Sequence, residues 1–207
     1  ALSADNYDLT GFVGTESVTV TKTLGAYDNA TAGTGKSVSV TSLVAQDFSP
    51  GQGTTLSNYT LPTSASGPVG EVRRKQISAV VQGPVSKTYD GTTAASLTSA
   101  NYVLDGFVNG ESATVNQTTA AFDTAAAGTG KTVTAALAAS NFAAGANTVL
   151  TNYTLPESAP GAVGVIEKKA VTGSFTAANK VYDGLVAAEV SERIVSGAVQ
   201  GDEVSLS

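Results

Sequence analysis

Lys87, Tyr89, Asp90 and Gly91 stand in the stretch KTYDGTTAA, and the spacing returns in KVYDGLVAA as Lys180, Tyr182, Asp183 and Gly184. A cation, a phenol and a carboxylate so close together are raw material for acid–base chemistry or for holding a ligand. Asp-Gly is also the strongest short signal for a tight turn. Glycine accepts a positive φ, and the aspartate oxygen accepts nearby N–H groups. The first reading is therefore a turn, with the tyrosine packed on a core and its hydroxyl at the rim. A ligand or metal site on Asp90 and Asp183 is the second.

Other stretches raise chemistry of their own. AGTGK, at Ala32 to Lys36 and Ala127 to Lys131, has glycines before a lysine as a phosphate loop does. It lacks the GxxxxGK[ST] spacing, and an alternating strand pattern follows it where a phosphate loop needs a helix, so a glycine turn opening a strand is expected. Lys36 and Lys131 hold equivalent places with Asn and Asp nearby. An isopeptide cross-link would need a buried lysine beside a buried carboxylate, whereas an exposed lysine at a strand edge guards against aggregation. The second is expected. Asn29, Asn58, Asn116 and Asn152 open N-x-Thr triplets, which a threonine-rich chain produces readily. No DxDxDG loop or glycine-aspartate nonapeptide is present, so the sequence implies no calcium site.

Composition narrows the choices. The 207 residues include 11 basic and 17 acidic ones, a net charge of −6, so there is no electrostatic footprint for nucleic acid. The basic clusters Arg73-Arg74-Lys75 and Lys168-Lys169 read as solvated strand ends. The chain has no Cys, His, Met or Trp. That removes disulfides, structural zinc, thiol nucleophiles and histidine-centred triads. No cofactor is implied, and an enzyme is the least favoured reading, since no acidic pair stands out for glycoside hydrolysis. No window is apolar enough for a membrane helix, so no membrane insertion is expected. ALSADNYDL has neither the basic start nor the apolar run of a signal peptide.

The strongest signal is internal repetition. NYDLTGFVGTES from Asn6 matches NYVLDGFVNGES from Asn101, and AYDNATAGTGKSVSV from Ala26 matches AFDTAAAGTGKTVTA from Ala121. LSNYTLP from Leu56 matches LTNYTLP from Leu150, and VGEVRRKQIS from Val69 precedes the counterpart VGVIEKKAVT from Val163. The unit is about 94 residues long, enough to bury a small autonomous core. Residues 1–76 then form a repeat without its opening, 77–170 a complete repeat, and 171–207 the opening of a third. Length changes fall between Val40 and Phe48, Ala79 and Lys87, and Ala95 and Val103, which places loops, bulges or junctions there.

The constant blocks alternate valine with serine or threonine, as at Val18 and Val20, Val38 and Val40, and Val133, Ala135 and Leu137. That period of two predicts strands. The alanine-rich stretch from Ala120 to Ala127 is crowded by Thr and Gly, so no helix is expected there. The fold class is all-β: small β-sandwich-like or β-grasp-like repeat domains in tandem, forming an elongated rod. Phe12, Tyr27, Phe48 and Tyr59 recur as Phe107, Phe122, Phe142 and Tyr153, a separate aromatic set for each core.

In order, K-x-Y-D-G, G-F-V-x-x-E, AGTGKxV and NYTLP, followed by a basic junction, resemble the YDG repeat family of large bacterial surface proteins, many of them filamentous-haemagglutinin-like adhesins exported by two-partner secretion. Leu185 and Val186 replace the usual Thr pair in the last copy. The resemblance implies a stalk displayed outside the cell, holding a binding tip away from the surface for attachment or biofilm formation. Its partners are then neighbouring repeats of the same long chain, and it brings no catalytic residue. Direct binding of carbohydrate or host protein by the repeats is the alternative. A first repeat lacking its opening, and an opening lacking its repeat, also imply head-to-tail self-association through residues 173–207.

Overall fold

Valine alternating with serine or threonine puts one branched side chain on each face of a pleated ribbon, and these runs form the longest strands. The structure, a computed structural model, describes residues 1–108 and 110–206. The strands are β1 (Val18–Val20), β2 (Ala26–Tyr27), β3 (Gly33–Val40), β4 (Phe48–Pro50), β5 (Ala65–Val72), β6 (Lys75–Gln76), β7 (Ser78–Val81), β8 (Val85–Thr88) and β9 (Ala94–Ser96). They continue as β10 (Tyr102–Asp105), β11 (Ala113–Val115), β12 (Thr119–Phe122), β13 (Gly128–Ala136), β14 (Phe142–Ala144), β15 (Tyr153–Thr154), β16 (Ser158–Glu167), β17 (Thr172–Ala177) and β18 (Val190–Ser196). The helical segments among the described residues are three-residue 3-10 turns, so the chain is all-β. A grasp-like arrangement needs a helix across its sheet, and none of the described residues supply it. The alanine-rich stretch is β12 followed by a turn, as expected.

Two compact units divide the chain: Ala1–Lys75 with Thr151–Thr154, and Gln76–Leu150 with Leu155–Ser207. In the second unit a five-stranded sheet runs in the order β8-β16-β13-β12-β9, accompanied by the pairs β10-β7 and β11-β14. One apolar cluster draws on all of them, including Val81 of β7, Val85 of β8, Val115 of β11, Phe142 of β14 and Ile166 of β16. The β8–β16 pairing is parallel, and the other ladders of this unit are antiparallel. In the first unit the order β2-β3-β5 repeats β12-β13-β16, and the pair β1-β4 repeats β11-β14. Registers match residue for residue: Val20 faces Phe48 as Val115 faces Phe142. The described residues of the first unit hold no counterparts of β7, β8 and β9.

That difference decides what is buried. Phe122 is 3% exposed, while Tyr27 at the same place in the first unit is 48% exposed. Tyr27 is thus not the core residue its register suggested, because the segment that covers Phe122 has no equivalent over it. Glycine tells the same story at the next position in the ladder. A Cβ on Gly161 would lie 2.0 Å from the Val81 carbonyl oxygen, so β7 packs directly against the β16 backbone. A Cβ on Gly67, its counterpart, meets only Val69, at 3.6 Å.

Short polar turns feed the buried aromatics into place. Asn101 Oδ1 accepts the Thr98 N–H at 2.9 Å, and Asn141 Oδ1 accepts the Ala138 N–H at 2.7 Å. Asn6 and Asp47 do the same in the first unit, at 2.8 and 2.9 Å. Each turn delivers an aromatic next: Tyr7, Phe48, Tyr102 and Phe142. The hydroxyl of Tyr102, whose ring is buried, donates to the Gln117 carbonyl at 2.8 Å, as Tyr7 does to Lys22. The sequence reading passed over this tyrosine pair.

The glycine contrast is testable in one chain. Gly161→Ala forces β7 off β16, and overpacking at a rigid backbone costs about 3 kcal/mol. Gly67→Ala makes only an ordinary contact with Val69 and changes stability by no more than about 0.5 kcal/mol. Urea unfolding followed separately for each unit by NMR checks both, and equal effects at the two glycines would refute the packing argument.

Candidate functional site

The Lys-x-Tyr-Asp-Gly motif begins in the last residues of β8 and turns immediately after it. Gly91, at φ +80°, makes the turn, and Asp90 Oδ1 gathers three donors around it. These are the Thr92 N–H at 2.9 Å, the Thr92 hydroxyl at 2.9 Å and the Lys87 ammonium at 2.7 Å. Lys87 also donates to the Thr92 carbonyl at 2.7 Å and to its hydroxyl oxygen at 2.9 Å. The result is an Asx turn closed from within by its own lysine. Lys87 Nζ lies 5.6 Å from the Phe122 ring centroid, so the same cation covers an aromatic of the core.

The later copy keeps this arrangement. Lys180 donates to Asp183 Oδ1 at 3.0 Å and to the Leu185 carbonyl at 2.7 Å. The Leu185 N–H reaches Asp183 Oδ1 at 2.9 Å, with Gly184 at φ +75°. Leucine can replace threonine here because the indispensable donor and acceptor belong to the backbone. Only the hydroxyl contacts disappear.

The AGTGK stretch proves to be a variation on the theme. Gly35 and Gly130, at φ +64° and +66°, are not turns that open strands but bulges inside β3 and β13, where the register to β5 and β16 slips. An extra residue re-aims the next side chain. It turns Lys36 and Lys131 inward, and both are buried instead of exposed at an edge. Lys36 donates to the Thr31 carbonyl at 2.9 Å, to the Thr31 hydroxyl oxygen at 3.0 Å and to Asn29 Oδ1. Asn29 in turn accepts the Thr31 N–H at 3.1 Å. Lys131 donates to the Thr124 carbonyl at 3.3 Å and to the Thr124 hydroxyl oxygen, with Asp123 Oδ1 at 3.7 Å. An ammonium saturated by oxygen acceptors has no lone pair for attack. Where the first copy has Asn29, the second has Thr124, which carries no carboxyl or amide to join. These lysines pin loops.

The remaining motifs meet one another. In the first unit the Tyr59 hydroxyl of NYTLP donates to Glu16 of GFVGTE and accepts the Val13 N–H at 3.1 Å. Its ring stands edge-on to Phe12, centroids 5.1 Å apart. Donation to the carboxylate holds the Tyr59 proton above its ordinary pKa.

Tyr89 is half-buried against the core, as expected, with its hydroxyl at the rim. Its hydroxyl donates to Asp202 at 3.1 Å, and that carboxylate raises the tyrosine pKa. Asp202 lies in the loop after β18, in the same compact unit. Beside it Val199 sits so close to Gly91 that a Cβ there would lie 3.0 Å from its methyl. Tyr182, with no such neighbour, is 93% exposed. The Tyr-Asp-Gly turn therefore has an inner partner, Lys87, and an outer one, the loop carrying Val199 and Asp202. The sequence reading missed these roles of Lys87, Thr92, Val199 and Asp202. Lys87 was within reach, since the lysine recurs with the rest of the motif.

Asp90 and Asp183 are each engaged by the lysine of their own turn, and among the described residues no three acidic side chains converge as a metal site would require. No helix among the described residues is long and apolar enough to cross a membrane.

An all-β chain whose motifs fall twice in one order on the same strands is built from repeats of a single small domain. It belongs to the YDG domain family, which it matches over residues 1–67 and again over 73–161. No curated protein and no solved structure matches the chain.

Two measurements follow. Donation from Lys87, followed by the Thr92 backbone, lowers the Asp90 pKa to about 2. A depressed value means the turn's contribution is present above the unfolded aspartate value of about 3.9. It is lost as pH falls towards 2. Carboxyl NMR titration should place the Asp90 midpoint near 2, and Lys87→Met should raise it; an unchanged midpoint in the variant removes the lysine from the turn. Intact-protein mass should equal that of the sequence, and a loss of ammonia would show that Lys36 had bonded to Asn29 after all.

Proposed function

We propose that the chain is a length of stalk from a large bacterial surface adhesin, in which YDG repeats act as spacers holding a binding tip away from the cell. Extracellular display on a filamentous-haemagglutinin-like protein exported by two-partner secretion is part of this reading, as is a role in attachment or biofilm formation. The Tyr89–Asp202 contact is the observation that supports it. The family's most characteristic residues are occupied by structure on both sides, Lys87 within the repeat and Asp202 in the opening of the next. A spacer needs that economy: each copy carries the fastening for its successor. The lysine, aspartate and glycine of the motif are tied to turn geometry, and the Tyr89 hydroxyl is engaged by Asp202.

Small-angle scattering on the 207-residue chain, and on versions lengthened by further copies of residues 77–170, tests the proposal. A compact globule of 207 residues has a radius of gyration of about 17 Å. The stalk reading expects a value well above it, and a maximum dimension that grows by a constant increment per added repeat. Growth with the cube root of mass would overturn the stalk.

A further inference from the structure

We propose that the lysine of the Lys-x-Tyr-Asp-Gly turn guards the turn's own backbone, holding Asp90 and Asp183 in a form that resists isomerisation to isoaspartate. Asp-Gly bonds are open to this reaction because glycine carries no side chain to shield its backbone nitrogen. The Gly91 nitrogen attacks Cγ of Asp90 and loses its proton, and one carboxyl oxygen leaves as water, giving a cyclic succinimide. Water then opens the ring at either carbonyl. One product is aspartate again. The other is isoaspartate, whose main chain runs through Cβ and Cγ. No oxidant or cofactor enters, and the final mass equals the starting mass.

The turn cannot avoid this liability by changing residues. Gly91 sits at φ +80°, and a Cβ there would lie 3.0 Å from a Val199 methyl. Asp90 supplies the oxygen that accepts the Thr92 N–H at 2.9 Å. The two residues that make the turn are therefore the two that react. Isoaspartate at this place would add a carbon to the short link between β8 and β9 and displace Gly91 and Thr92 from their contacts.

The lysine acts on the leaving group. Water departs readily from the neutral acid and poorly from the carboxylate, so whatever favours the charged form slows ring closure. The Lys87 ammonium, 2.7 Å from Asp90 Oδ1, favours it by a charge-assisted hydrogen bond. With its pKa lowered to about 2, Asp90 holds more than tenfold less neutral acid at pH 7 than an ordinary aspartate. The Thr92 N–H and hydroxyl bond to the same oxygen, and ring closure, which makes Cγ tetrahedral, draws Oδ1 away from all three donors. In the later copy threonine gives way to Leu185, yet Lys180 keeps its bond to Asp183 at 3.0 Å. The constant pairing is an Asp-Gly bond with a lysine three residues before the aspartate. The Asp105-Gly106 bond has Tyr102 at that spacing and lies instead in the ladder, where Asp105 faces Ser78 of β7. It provides an unguarded reference in the same chain. The inference concerns the chemical lifetime of the backbone and stands apart from the stalk reading.

Ageing of the full chain tests it. The native chain, Lys87→Met, Lys180→Met and Thr92→Ala are kept warm at pH 7 for several weeks. Isoaspartate is then read at residues 90, 105 and 183 by site-resolved peptide mapping, with a protease that does not cut at lysine. Lys87→Met is expected to raise the rate at Asp90 at least tenfold and to leave Asp105 and Asp183 as in the native chain. Lys180→Met should raise the rate at Asp183 alone. Thr92→Ala removes the hydroxyl and keeps the lysine, so it should change the rate at Asp90 less than threefold. Equal rates at Asp90 in the native chain and Lys87→Met overturn the proposal. So does acceleration by Thr92→Ala as large as that by Lys87→Met, which would make turn rigidity the guard. A rise at all three sites together, the mark of general loosening, overturns it as well.

Discussion

The approach of β7 to β16 at Gly161 is the contact on which a complete repeat depends. A Cβ there would lie 2.0 Å from a carbonyl oxygen, so the opening strand is pressed against the sheet's backbone with no side chain between. Without cysteine to form disulfides, a unit of this size depends on burial and ladder bonds. Strands β7 to β9 contribute more than their own ladders. Where the described residues hold no counterparts of β7 to β9, in the first unit, the aromatic at the Phe122 position is half exposed and β5 and β2 are the edges of a three-stranded sheet.

Lysine is the second constant. Four times the chain ties a surface turn by aiming an ammonium at a carbonyl oxygen of the turn, at Thr92, Leu185, Thr31 and Thr124. Three of these turns add an Asx oxygen as a second acceptor, and the fourth has Asp123 nearby. An ammonium offers three donors on a flexible stem, which suits a cluster of acceptors without a common plane. Twice the lysine precedes its turn, and twice it follows after a glycine bulge. The bulge is what lets β3 and β13 hold their register to β5 and β16 while sending one cation inward.

Much of this was legible in the sequence. Period-two alternation located β1, β3 and β13, and repetition located their partners, because equal spacing demands equal register. The Asp-Gly pair announced its turn. Lysine burial was not legible, since Gly35 and Gly130 look alike whether they make a turn or a bulge, and only pairing with a distant strand decides. Nor was the exposure of Tyr27, which sits in the register of a core aromatic. Its burial depends on β8 and β9, elements outside the local pattern. Gly161 resembled every other glycine, for the atom that requires it belongs to a strand about 80 residues earlier.

The tail sharpens what the repeat encodes locally. β17 and β18 keep the register of β7 and β10 although no sheet covers their apolar face. Pairing of the opening strand is therefore written in the opening segment itself, while its burial is written about 60 to 90 residues further on. A chain built this way separates nearest-neighbour ladders from the packing that stabilises them, as repeat proteins do. The outer face of the Tyr-Asp-Gly turn extends the same logic, since Gly91 and Tyr89 take their neighbours Val199 and Asp202 from the loop after β18. Thus β7 to β9 complete a core, and the loop carrying Val199 and Asp202 meets the turn that follows β8.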